Sequence, residues 1–422
     1  MRRRRFLALA ALTLAGCDVS LARRLLLSGG SSAIPLPSLD ALTSSPNGGN
    51  NPWMVPGAYR YGDVVVGGYV DGSGSVECFT YTESTATVGG PHTIHASFET
   101  DAHTSPALIR RSSDGKILAF YCLHNAGTLN LRVSSSADDP SAWGSATNLD
   151  SQLGGTRYTD LQVHELSDGT LFLFYRDEPS AGTDSRWCWS TSSDGGSTWA
   201  AQTVLYRINS TRSYVISYKD PASDRIHFVA TNGASSGYTK LGHWRMDGLT
   251  LARTKSDGST ISASLPLTFT DVTEAYSGSG DVFMSHIAFG SDGHPVFVGW
   301  EALDYIYRRW TGSAWTGSVI AACGTGFSYN NDSSYQPWGI ALDDGDPNTV
   351  WLMRDSGGNP SAWRYRTTDG GASFGGQNLG ATGGEVHTMI PVRNPGSLRA
   401  YYPVGSWTDY VTWACGLTGI VE

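Results

Sequence analysis

Apolar and polar residues alternate in short runs along most of the chain, and the runs come in pairs split by turn signals. Residues 107–111 (ALIRR) and 117–122 (ILAFYC) flank Ser113-Asp114-Gly115, and residues 161–165 (LQVHE) and 171–176 (LFLFYR) flank Asp168-Gly169. A period of two over four to eight residues marks strands, and an Asp-Gly pair between two of them marks a hairpin. Comparable turns stand at Asp71-Gly72, Ser223-Asp224, Asp292-Gly293, Asp344-Gly345 and Pro395-Gly396, with aspartate spacings of 43, 54, 56, 68 and 52 residues from Asp71 to Asp344. A third apolar run commonly follows, as at 129–134, 186–190, 305–310 and 362–367. No convincing amphipathic helix intervenes. Four strands per unit and seven units predict an all-β, seven-bladed propeller of antiparallel blades, six blades being the alternative if an end unit is incomplete.

Two turns carry a fuller signature. Ser192-Ser193-Asp194-Gly195-Gly196-Ser197-Thr198-Trp199 and Thr367-Thr368-Asp369-Gly370-Gly371-Ala372-Ser373-Phe374 both fit S/T-x-D-x-G-x-T/S-aromatic, the Asp-box pattern, with a decayed copy at 136–143. The carboxylate accepts backbone N–H groups inside the turn and the aromatic packs into the blade, so Asp194 and Asp369 are expected to be structural.

In a propeller the turns joining the first and second strands of each blade share one face, and the open strand ends share the other. Residues equidistant from a turn oppose each other across an antiparallel ladder. His103 lies 11 residues before Asp114 and His124 lies 10 after it, so two imidazoles are expected side by side. The same count brings Tyr158 and Arg176 to the next blade, Tyr214 and Asn232 to the one after, and Glu301, then Tyr335, Gln336 and Arg354, then His387 to those beyond. Two His, two Tyr and an Arg on three consecutive blades form a candidate site for proton transfer and anion binding. Taken singly, each is equally at home as a core, rim or ion-paired side chain.

Composition narrows the function classes. Gly is 51 of 422 residues, aromatics are 11% and charged residues only 16%, the profile of strands and turns. A net charge of −9, with neither a long basic run nor a basic excess, argues against nucleic-acid or anionic-membrane partners. Residues 2–5 are Arg and residues 6–16 are apolar, a targeting segment too short for a membrane anchor, with Arg3-Arg4-Arg5-Phe6-Leu7 compatible with twin-arginine export. Leu14-Ala15-Gly16-Cys17 fits a lipobox, which would make Cys17 a lipidated first residue and the protein a cell-envelope lipoprotein; an ordinary cleaved signal and a secreted or periplasmic product is the alternative. Residues 1–17 are therefore expected to be a signal, 18–52 a linker (Gly/Ser/Pro-rich from 28 to 51) and 53–422 the propeller. Cys78, Cys122, Cys188, Cys323 and Cys415 lack metal-ligand spacing and read as small buried strand residues.

At the level of motifs the chain resembles the BNR-repeat propellers that include ulvan lyases and related rhamnosyl-glucuronate-cleaving enzymes. The matching pieces are DAHTSPAL (101–108), AFYCLHN (119–125), residues 132–134 with Trp143, LFLFYR (171–176), RSY (212–214), RIHF (225–228), His243 with KSDGSTI (255–261), and YQPWGIAL (335–342), in order over about residues 53 to 413. Ser213 stands where the family pattern has Pro, and His243 lacks the aromatic neighbour expected before it; both departures bear on substrate identity.

The resemblance implies a lyase that cleaves an acidic, uronate-containing polysaccharide by β-elimination, and the chain is expected to act as a monomer. That chemistry needs the substrate carboxylate neutralised, a base for the C5 proton and an acid for the departing O4. By the resemblance, His103 and one of Tyr158 or Tyr214 transfer the protons, while Arg176 with His124 holds the carboxylate. Asn232, Tyr335, Gln336, Arg354 and His387 are further substrate-binding candidates. No cofactor is required, and a structural divalent cation stays compatible. The rivals are a rhamnosidase or sialidase-like hydrolase, although the sialidase Phe/Tyr-Arg-Ile-Pro segment is missing, and a glycan-binding propeller that uses the 14 Trp and 20 Tyr as stacking platforms.

Overall fold

The computed structural model of the protein describes residues 37–43, 48–124, 126–180, 184–208, 211–233, 237–324, 339–355, 359–386 and 388–422. The alternating runs become antiparallel hairpins. Ala107–Arg110 pairs with Lys116–Cys122 through Ala107↔Phe120 and Leu108↔Ala119. Tyr158–Glu165 pairs with Leu171–Ser180, which pairs in turn with Asp184–Ser192. The Asp-Gly turns work as expected: Gly115 and Gly169 adopt φ of 74° and 85°, a region open to glycine. The Asp114 and Asp168 carboxylates accept the N–H two residues on, at 3.1 and 2.9 Å.

Among the described residues the strands make six sheets, five of four or five strands and one of nine. The small sheets follow one another along the chain over residues 107–148, 158–207, 215–277, 282–322 and 340–381. The fold is an all-β propeller. The sheets do not, however, give the expected seven. Ala58–Tyr61 and Ile390–Arg393 pair in parallel through Ala58↔Val392 and Tyr59↔Arg393, which joins the first and last units into the nine-stranded sheet.

Two further expectations change. Asp71-Gly72 joins the second and third strands of its unit, Val64–Val70 and Val76–Thr82, so it lies at the opposite end from the other turns. The first hairpin turn there is Gly62-Asp63, with Gly62 at φ 53°. The stretch read as linker is also partly folded. Ser38–Thr43 adds to the outer edge of Thr412–Val421, so the first and last described strands share one sheet.

Between that strand and the first blade, residues 48–56 run inward. Val55 N donates to Leu161 O and Val163 N donates to Val55 O, at 2.9 and 2.8 Å. Trp53 is 1% exposed, stacks on Tyr214 at 4.4 Å and donates its indole N–H to Met284 O at 3.3 Å. Leu161, Tyr214 and Met284 lie in or beside the first strands of three successive sheets, so this segment fills the middle of the ring. Cys78, Cys122, Cys188, Cys323 and Cys415 are buried, as expected of small strand residues, and all five are free.

Candidate active site

The site begins with a turn. Asp101 precedes a single 3-10 turn, Ala102–Thr104, and its Oδ1 accepts His103 N at 2.8 Å. That cap swings the His103 ring back so that Nδ1 meets the same oxygen, also at 2.8 Å. Asp101 Oδ2 takes His124 Nδ1 at 2.8 Å. The two rings stack with centroids 3.8 Å apart and planes 8° from parallel. One carboxylate therefore holds both imidazoles that counting from Asp114 brought together. Beneath it, Glu99 Oε2 accepts His124 N at 2.7 Å.

The electrostatics follow from this geometry. Burial works to raise the Asp101 pKa, but the two imidazoles outweigh it and hold the carboxyl well below its usual range. Burial lowers the His124 pKa and the His103 ring lowers it further; the Asp101 hydrogen bond opposes both. An ionised carboxylate only accepts, so each Nδ1 carries the proton and the lone pair of each neutral ring sits on Nε2. Among the described residues, Asp101, His103 and His124 are also the group of donors close enough to hold a metal ion, all within 4.8 Å. Their Nδ1 and carboxylate atoms are already spent on one another, which makes this a hydrogen-bonded relay in form.

A polar chain leads from this pair to the next two sheets. Asn51 N donates to Ser105 Oγ at 3.2 Å and its Nδ2 to Asp160 Oδ1 at 3.0 Å. Asp160 Oδ2 lies 3.1 Å from Arg176 Nη1, and Glu178 Oε1 lies 3.2 Å from Arg176 Nε. These are charge contacts and not aligned hydrogen bonds, since neither Arg176 nitrogen meets hydrogen-bond geometry. Glu178 is shared with Arg212, which forks it at 2.8 and 3.2 Å. The Arg176 guanidinium sits 4.9 Å over the Tyr214 ring.

Several expected roles move. Arg176 is 2% exposed with its charge met by two buried carboxylates, so it lies inside the wall and not at its surface. Tyr158 is fully buried among Cys122, Leu153 and Tyr175, and its hydroxyl is shut in against Gly155. Tyr214 is packed between Trp53, Tyr238 and Phe283. Neither tyrosine presents a phenol to solvent. The cause in the Tyr158 sheet is a bulge between Thr159 and Gln162, with Asp160 at φ 56°, which makes Thr159 the partner of Arg176.

The outlying candidates serve local structure. Asn232 accepts Lys240 N, Glu301 accepts the N–H groups of Ser279 and Gly280, and Arg354 bonds Ala322 O and the Tyr365 hydroxyl. Asp194 accepts Ser197 N and Thr198 N, and Asp369 accepts Ser373 N, as turn anchors do. Tyr335, Gln336, His387 and Cys17 lie outside the described residues.

Sequence reasoning passed over the groups that complete the site. Asp101 opens the DAHTSPAL piece, and no sequence signal assigns it a role. Arg212 is 30% exposed, against 2% for Arg176. Arg157 is half-buried beside Tyr158, whose N–H donates to Ala126 O just after His124, and its guanidinium has no partner among the described residues. Tyr410 comes from the last sheet to meet both imidazoles edge-on, at 5.2 and 5.5 Å. No sequence signal links a residue so far along the chain to this hairpin.

Comparison with known proteins agrees with this architecture. The solved structure of an ulvan lyase described as a new family of polysaccharide lyase, PL25, superposes with a TM-score of 0.71 at 15% identity, covering 91% of this chain and 96% of that one. The same lyase bound to -[GlcA(1-4)Rha3S]- gives 0.71 at 14% identity, with the same coverage. The polysaccharide lyase Uly1 gives 0.55 at 13%, covering 96% and 95%. No curated protein sequence matches. The BNR repeat-containing family matches residues 62–322, more than half of the chain, and the protein belongs to that family.

Proposed function

We propose that the protein is a polysaccharide lyase that cleaves a uronate-containing, rhamnose–glucuronate polymer by β-elimination. The observation that carries this reading is the stacked His103–His124 pair held through both Nδ1 atoms by the single carboxylate of Asp101. An imidazole whose Nδ1–H is fixed on a carboxylate is oriented and made more basic at Nε2, which is what removal of a weakly acidic C–H requires. In this scheme His103 Nε2 takes the C5 proton. The C5–H electron pair becomes the C4=C5 double bond, the C4–O4 bond breaks, and O4 leaves with a proton from the site or from water. We assign the substrate carboxylate to Arg212, which is 30% exposed although it is paired with Glu178, and to Arg157, half-buried next to Tyr158 in sequence, in place of Arg176. The likeness in fold to lyases that act on ulvan supports the same substrate class.

Hydrolysis is the less favoured reading. It calls for a pair of carboxyl groups flanking the bond, whereas both Asp101 oxygens are committed to imidazoles and Glu99 to a backbone N–H. We also propose that the nine-stranded sheet acts as two blades, which would give the ring seven positions; its two halves meet through two residue pairs only. Incubation with ulvan and other polyuronates, followed by near-ultraviolet absorbance, tests the function. A 4,5-unsaturated product raises the signal, and a reducing-end increase without that rise would replace the lyase with a hydrolase.

A further inference from the structure

Strands Leu398–Asp409 and Thr412–Val421 are 12 and 10 residues long, and their tip crosses from the last sheet to the histidine turn. A tryptophan pair packs the stem against the sheet. Trp407 and Trp413 stack at 5.6 Å, both are under 10% exposed, and they pack with Val70, Ala102 and Cys415. Gly49 lies so close beneath that a Cβ there would come within 2.5 Å of the Trp413 ring. At the tip, Tyr410 O accepts Ala102 N at 2.7 Å, which ties the hairpin to the same turn that Asp101 caps. The Tyr410 ring stands 81° and 90° to the His103 and His124 planes.

Packing alone gives this residue little to do, for Tyr410 is 46% exposed and Val411 beside it 42%. An aromatic ring fixed edge-on to an imidazole pair, with nearly half its surface open, is a platform for the C–H face of a sugar. We propose that Tyr410 contacts the substrate directly, as the wall against which the sugar next to the reacting uronate lies, with Val411 extending the apolar edge. The tip is then a specificity-determining element, favouring a partner sugar that presents a hydrophobic face, such as a deoxysugar. This inference rests on the lyase reading.

The test is steady-state kinetics of Tyr410→Ala and Tyr410→Phe on a rhamnose–glucuronate polymer, with Leu249→Ala, an exposed apolar residue in a turn of another sheet, as control. Binding of a rhamnose–glucuronate tetrasaccharide to His103→Ala and to the His103→Ala/Tyr410→Ala double variant is measured beside it by titration calorimetry. Tyr410→Ala is expected to raise KM about tenfold and to weaken tetrasaccharide binding to a similar degree, with Tyr410→Phe recovering most of both and an unchanged melting profile. Turnover with KM and binding unmoved in Tyr410→Ala overturns the wall and leaves the lyase intact. Absence of unsaturated product from the wild-type protein overturns the lyase reading and the wall with it.

Discussion

Asp101 serves two imidazoles at once, and the consequences at residue scale can be measured. In Asp101→Asn an amide can accept from one Nδ1–H only, so one ring loses its anchor. Loss of such a supporting carboxylate costs about 10–100-fold in turnover, and kcat on a polyuronate should fall by at least that much. The carboxylate also holds the His124 pKa up against burial, so the His124 imidazole, followed by NMR, should titrate at lower pH in this variant. In the wild type that ring should titrate below about 6.5, the ordinary imidazole value, because burial depresses it. Stability runs the same way. His124 binds its proton more readily unfolded than folded, and Asp101 does as well, so acidification through the imidazole range and then the carboxylate range favours the unfolded chain. Urea midpoints should fall from pH 7 toward pH 3 in the wild type.

The two arginines of the third unit separate support from substrate contact. Arg176→Ala leaves Asp160 and Glu178 buried without their shared cation, and breaking such a buried pair costs about 3–5 kcal/mol. Arg157→Ala removes a half-exposed group without a partner among the described residues and should change stability by no more than about 0.5 kcal/mol, while raising KM for an anionic polymer. Urea unfolding beside kinetics distinguishes them. A stable Arg176→Ala with a raised KM would return the carboxylate to Arg176.

At the scale of elements, hairpins with unbroken alternation were legible and irregular ones were not. Counting from Asp114 placed His103 against His124 because the Ala107–Arg110 ladder runs without a bulge toward them. The same count failed beyond Asp168, where one bulge turns Tyr158 away into the core. Gly62-Asp63 was missed because its residues stand in the reverse order of the pattern sought. The central segment was invisible for another reason. Residues 48–56 carry no periodicity, and only the ring around them explains why Asn50, Asn51 and Trp53 are buried. Trp53→Ala should cost about 3–5 kcal/mol, the usual loss for a buried Trp, and should also slacken Asn51 between Ser105 and Asp160. An unfolding midpoint unchanged by that substitution would mean the segment is not part of the folded core.

For the whole molecule, the propeller brings together groups that the sequence keeps far apart: Asn51 of the central segment, the histidines of the second unit, Arg176 of the third, Arg212 just before the fourth, and Tyr410 near residue 422. The repeat pattern made the fold readable, since each unit announces its own turns. Closure was not readable. The pairing of Ser38–Thr43 with Thr412–Val421, and of Ala58–Tyr61 with Ile390–Arg393, depends on where the ring ends, which no local pattern encodes.

The central claim is that the Asp101-held histidine pair performs an elimination on a uronate. The most direct measurement is the near-ultraviolet absorbance released from ulvan by the wild-type protein beside His103→Ala and His124→Ala, with tetrasaccharide binding followed in parallel. The account predicts an unsaturated product from the wild type and at least about a 10²-fold loss, typical for removal of a general base, in His103→Ala with binding retained. Unsaturated product formed at an undiminished rate by both variants would contradict it.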